Sequence, residues 1–333
     1  MASIYQSRIR TPNIFDWILN HIVLFGLFLL VLLFSIGNHN FLSVANARSI
    51  LRQLSAIGIL SIPAALILIS NSIDLSLGSI VGLCSVVGIE IMNIWGFYPG
   101  IAAFILVGTI AGMFNGFLIS YAKLNPVIIT LGTQILFRGI SLAISKGHSG
   151  LPSVQFLNIF RFEILGLRPE IFILLAALSL GWLVLHRSRF GRYIYATGEN
   201  ERIAFLMGVN VKWLRFFLHT IAGITSGVVA IVSVSKIGLS SGSLGENLTM
   251  PILIAILLGG IDFGGGSGNI AGIIIGVLFM GILQAGLLII GVPEFVQRVI
   301  VGAVMILALY SSSLRRQKHQ PHNSRKESSY ELH

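Results

Sequence analysis

Residues 186–216, HRSRFGRYIYATGENERIAFLMGVNVKWLRF, form a charged island between long apolar segments, and the fold turns on how that island is read. Arg187, Arg189, Arg192, Arg202, Lys212 and Arg215 stand there against only Glu199 and Glu201. A compact, basic, partly amphipathic stretch in this position reads as a surface exposed on one side of a membrane. Apolar runs of roughly 20 residues flank it and recur along the chain, which is the length a helix needs to cross a bilayer.

Composition agrees. Of the 333 residues, 55% are hydrophobic and 10% charged, and the mean hydropathy is +0.89. A soluble domain carries about a quarter charged residues. The apolar runs are continuous rather than alternating, so helices that satisfy their own backbone hydrogen bonds are expected instead of a barrel. The expected fold is therefore all-α, a polytopic integral membrane protein with about ten transmembrane helices. The spans are expected at 18–36, 54–71, 75–94, 100–122, 126–144, 169–186, 216–235, 250–261, 270–290 and 295–311. The eighth is too short to cross alone and is expected to be tilted, extended into its flanks, or re-entrant.

Six expected spans precede the island and four follow it. The N-terminal arm (1–17), the island (187–215) and the tail (312–333) then share one face, which the positive-inside rule makes the cytoplasm. The body of the chain, 18–311, reads as one membrane domain, and the polar tail as disordered. Arg48 and Arg52 fit this scheme poorly, falling after the first span on the outer side. The net charge of +10 is accounted for by the same rule rather than by nucleic acid. Cys84 is the single cysteine and lies in an apolar run, so no intrachain disulfide forms.

Several polar motifs interrupt the apolar runs. In NSIDLSLGS (71–79), Asp74 reads first as a helix N-cap and Ser76 lies beside it; a broken helix there would also suit a lined route. NPVIITLGT (125–133) reads as a helix start, with Asn125 capping and Pro126 at the first position. Thr130, Thr133 and Gln134 offer hydrogen bonds either to a polar solute or to neighbouring helices. Arg138 places a guanidinium inside an apolar span, where it lines a path or ties backbone carbonyls. The glycine cluster 259–268, with Gly259, Gly260, Gly264, Gly265 and Gly268, has no following lysine and no Walker A pattern. It reads as a connection permitting tight turns and close helix approach. The histidines are scattered without metal-ligand spacing, no cofactor is implied, and no catalytic set assembles.

Taken together, SIDLSLGS (72–79), NPVIITLGT (125–133) with Arg138-Gly139, GRYIYATGENERIAFLMGV (191–209) and LLGGIDFGGGSGNIAG (257–272) resemble the permease subunit of bacterial ABC importers for monosaccharides, the ribose/xylose/arabinose type. The CSVVG run and the YATGEN form are similar to the autoinducer-2 branch of that group. The resemblance implies a bacterial inner-membrane location, two cytoplasmic ABC ATPase subunits, a periplasmic solute-binding protein, a second permease subunit and a small sugar as solute. It also implies that the segment over 191–208 meets the ATPase, through Gly191, Arg192, Tyr195, Gly198, Glu199, Asn200, Arg202 and Gly208. Tyr193, Tyr195, Ile203, Phe205 and Leu206 are the expected apolar anchors, rimmed by basic residues. The alternative for this segment is a surface helix lying on anionic lipid. Leu248-Thr249-Met250-Pro251 and Asp262 depart from the family pattern, which bears on the solute rather than on the transport class. An ion-coupled secondary transporter and a branched-chain amino-acid permease of the same superfamily are the competing functions.

Overall fold

The computed structural model describes residues 14–319, and side chains from 23 to 310. Thirteen helices occur among the described residues. They are α1 (Ile14–Gly37), α2 (Val44–Ile69), α3 (Leu77–Trp95), α4 (Phe97–Ser120), α5 (Pro126–Ser145), α6 (Val154–Arg161) and α7 (Pro169–Arg187). Then follow α8 (Arg189–Glu199), α9 (Glu201–Leu206), α10 (Val211–Ile237), α11 (Thr249–Leu258), α12 (Ile270–Ile289) and α13 (Glu294–His319). Ten of these fall on the ten apolar runs; α6, α8 and α9 are additional short helices.

Among the described residues, seven helices (α2, α3, α4, α5, α7, α10 and α12) are long and apolar enough to cross a membrane, where about ten are expected. α11 has only 10 residues, and the described side chains of α1 begin at Val23. The expected N-terminal arm lies mostly outside the described residues, as does most of the tail. Residues 312–319, read as disordered from composition, instead continue α13. Arg48 and Arg52 also find their place: α2 begins at Val44, well before the apolar run, so both belong to its first turns.

α2 is the central helix, buried almost continuously from Leu54 to Ile69. α5 is peripheral, with only Thr130, Thr133, Phe137 and Ser141 buried. α4 packs on α10 where backbones come close: a Cβ on Gly108 or Gly112 would run into the backbone around Gly223. Small residues at such crossings let helices gain close packing without a hydrophobic drive between them. Hydroxyls inside the helices are largely satisfied one turn back, as in Ser61 Oγ to Ile57 O at 2.7 Å and Ser226 Oγ to Ala222 O at 2.8 Å. That leaves them without a demand on lipid.

The connection from α10 to α11 is not helical. After α10, residues 238–248 turn back between α3 and α5. Ser240 pairs with Gly150, Ser85 Oγ reaches Ser241 O at 3.1 Å, Gly242 lies against Gly82 and Ser141, and Gly245 meets Gly78. Each contact lies nearer the start of α3 than the last. Gly78 N then donates to Thr249 Oγ1 at 3.3 Å, where α11 begins. This explains the short eighth run. An irregular stretch descends alongside α3 and α11 completes the path, its residues from Pro251 to Leu257 all buried.

Candidate functional site

α8 and α9 sit at the end of the bundle where α10 begins. Ser188 caps α8 by accepting from Gly191 N at 3.0 Å. Asn200 joins the two helices: its backbone N donates to Ala196 O, and its side chain accepts from Ile203 N at 3.0 Å. One face of this unit is locked inward. A Cβ on Gly198 would overlap Ile69 O, and one on Gly191 would overlap Val184 O. Tyr195, expected as an exposed anchor, is turned in instead, its hydroxyl donating to Gly268 O at 2.6 Å. Burial pushes that phenol above its usual acidity range, so it stays a donor. The other face carries exposed Tyr193, Ile203, Phe205, Leu206 and Met207. Met207 joins the expected anchors, and Gly208 beyond it has φ +87°. Arg192, Glu199, Asn200 and Arg202 are exposed around them.

The glycine cluster is a packed elbow between α11 and α12. Gly260, Gly265 and Gly268 have φ of +87°, +73° and +136°, and Gly264 lies in the same turn. Gly259 meets Gly272 O, and Gly265 packs directly on Asn71, so neither site has room for a side chain. Gly266 N donates to Ile69 O at 2.8 Å. The elbow and α8 therefore grip the same carbonyl.

That carbonyl opens the break between α2 and α3. Asp74 is not the helix cap that the sequence suggests: the cap position is held by Ser76, whose side chain makes no capping bond. Asp74 is the acceptor at the centre of a buried network. Its Oδ1 accepts from Ser76 N at 2.9 Å and from Ser76 Oγ at 2.6 Å. Its Oδ2 lies 3.0 Å from His219 Nδ1. The other imidazole nitrogen is 3.3 Å from Ser72 Oγ, and Asn115 Nδ2 donates to Ser76 Oγ at 2.7 Å. His219, Asn115 and Ser76 are fully buried and Asp74 nearly so. His219 and Asn115 were not among the sequence candidates.

The remaining candidates lie elsewhere. Asn125 caps α5 as expected, accepting from Val127 N at 3.0 Å, with Pro126 at the first position. Thr130 is buried, its hydroxyl bonded to Pro126 O at 2.8 Å and thus used within its own helix. Arg138 pairs with Glu246 at 3.0 Å. Glu246 belongs to the descending segment, so the guanidinium holds that segment to α5.

The descending segment borders a cavity of about 740 Å³, within the range of small-molecule sites. Arg52 and Gln53 of α2, Lys236 of α10, Gln284 of α12, and Glu294, Gln297 and Arg298 of α13 face it, together with Glu246, Asn247 and Met250. Arg298 Nη2 pairs with Glu294 at 2.9 Å. Asp74, Ser76, Asn125 and Thr130 do not line it. Non-helical backbone survives at membrane depth only inside protein or beside a water-filled space, and 238–248 packs against α3 and α5 and borders this cavity.

Membrane-length helices, an irregular segment lining a cavity that polar and charged side chains reach, and an amphipathic pair projecting from one end define the architecture of a solute permease. The chain belongs to the permease family described as branched-chain amino acid transport system / permease component, whose family model matches residues 46–309. Relatives include the autoinducer 2 import system permease protein LsrD of Photorhabdus luminescens, 35% identical over 87% of this chain and 90% of the relative. The proteins of the same name from Klebsiella pneumoniae subsp. pneumoniae (35%, covering 85% and 88%) and Yersinia enterocolitica (33%, covering 86% and 89%) are similar over comparable spans. No solved structure gave a significant match.

Proposed function

We propose that this chain is the membrane-spanning subunit of an ATP-driven importer that moves a small polyhydroxylated solute, a ribose-like monosaccharide or an autoinducer-2-like molecule, across a bacterial inner membrane. Its partners are two cytoplasmic ATPase subunits, a periplasmic solute-binding protein and a second permease subunit, identical or related. The observation that carries this reading is the α8–α9 unit, which presents Ile203, Phe205, Leu206 and Met207 outward while its glycine face is fixed to the core. Aromatic and aliphatic anchors within a charged rim suit a protein partner. The relatives' names support the transport class and the solute. The amides of Gln53, Asn247, Gln284 and Gln297 around the cavity suit hydroxyl groups. The motor belongs to the partner, since the glycine cluster of this chain has no Walker A lysine.

Uptake of labelled autoinducer 2 and labelled ribose into vesicles tests this. Accumulation with a collapsed ion gradient and intact ATP is expected; accumulation that needs only the gradient overturns it in favour of ion coupling. The family description favours a second reading, a branched-chain amino acid as solute. Excess leucine is expected to leave the uptake of either label unchanged, and competition by leucine would establish that second reading.

A further inference from the structure

Residues 69–76 are held from four directions. Gly198 of α8 packs on Ile69 O, which also accepts from Gly266 N of the glycine elbow. Arg215 of α10 reaches Ser70 O at 3.4 Å. His219, one turn further along α10, holds Asp74 and Ser72 on the two sides of Ile73. Asn115 of α4 holds Ser76. Arg215 also pairs with Glu201 of α9 at 2.8 Å. The α8–α9 unit thus touches the break directly through Gly198 and indirectly through Glu201 and Arg215. On the far side, Gly78, two residues past Ser76, packs on Gly245 and Thr249. Those residues belong to the chain that borders the cavity.

Helices transmit displacement as rigid rods, and the stretches between them absorb changes in backbone angle. We propose that the break at 70–76 is the transmission element between the α8–α9 unit and the cavity, with Asp74 and His219 as its positioning residues. This rests on the docking role given to α8–α9 above. An ionised carboxylate has only acceptor sites, and Nδ1 of His219 is placed to supply Asp74 with the hydrogen. Nε2 faces Ser72, so the imidazole spans the break. A shift of the first turns of α10 therefore carries residues 72–76 with it. Charge-assisted bonds without competing water are stiff enough to serve.

The test needs no assumption about the solute. A Cys84→Ser, Met250→Cys parent places one thiol on the cavity wall, and is reconstituted with its ATPase subunits in proteoliposomes. Its maleimide labelling rate is expected to differ at least about fivefold between nucleotide-free and ATP-plus-vanadate conditions. Asp74→Asn and His219→Gln are expected to cut that difference below about twofold while ATP hydrolysis continues. His219→Asn, whose amide nitrogen falls near the position of Nδ1, is expected to retain it, which a purely packing role would not produce. A wild-type response in Asp74→Asn and His219→Gln overturns the proposal. If those two fail to assemble, Glu201→Gln decides: it cuts the exposed link to Arg215 without entering the core, and an undiminished response there also overturns the proposal. A parent that does not respond to nucleotide at all refutes the docking role itself, and the inference falls with it.

Discussion

At Gly198 a methyl group has nowhere to go, because Ile69 O and Gly266 N occupy its position. Gly198→Ala is expected to lift α8 from the core, and overpacking of this kind costs about 1–3 kcal/mol. Thermal unfolding of the detergent-purified protein should fall accordingly, and the same substitution at the open, exposed Gly132 should not lower it comparably. His219→Leu removes one donor from a buried carboxylate, and a hydrogen bond to a charged group is worth about 1.5–3 kcal/mol. The same melting assay should place His219→Leu well below His219→Asn. Asp74 was legible in the sequence because an acidic residue among apolar ones is conspicuous. Its task was not, because its partner lies 145 residues away and no local spacing encodes that contact. Asn125 and Pro126 were legible for the opposite reason: a helix cap is complete within four residues.

At the scale of elements, the apolar runs located ten helices, since a crossing helix is written locally in its own composition. α6 escaped because it depends on tertiary contact, with Phe156 stacked on Phe104 of α4 at 6.2 Å. The brevity of α11 was visible, but its cause, a chain descending beside α3, was not. The amphipathic character of 189–206 was also visible, whereas which of its tyrosines faces out depends on the carbonyl of Gly268. For this element the expected outcome is specific. Phe205→Asp with Leu206→Asp should leave membrane insertion unchanged and abolish co-purification with the ATPase subunits, since losing a hot-spot pair weakens binding by at least about 2 kcal/mol. Normal co-purification would remove α8–α9 as the docking element. Glu246→Gln tests the descending segment differently. Its pair with Arg138 is partly exposed and worth only about 0.2–1 kcal/mol. Stability should therefore be unaffected, and any effect should appear in the KM for solute.

For the whole molecule, we propose an orientation from where the exposed cations gather. Basic residues stand at both ends of the bundle, so a simple count does not separate them. At the end bearing α6, Arg161 donates to Ser235 O at 2.8 Å and Arg168 lies 3.7 Å from Glu163, while Arg48 and Lys146 are exposed. At the other end Arg187, Arg189, Arg192, Arg202 and Lys212 are exposed, the kind of cluster retained on the cytoplasmic side. α10 has 27 residues and is therefore about 40 Å long. That exceeds the roughly 30 Å hydrocarbon core, so the segments before and after it emerge on opposite sides. In a Cys84→Ser background, Met207→Cys should be labelled by a membrane-impermeant maleimide only in inverted vesicles, and Ser243→Cys in right-side-out ones. Labelling of Met207→Cys from the outside would place the α8–α9 anchors beyond the reach of any cytoplasmic ATPase. The direction of transport would then have to be argued afresh.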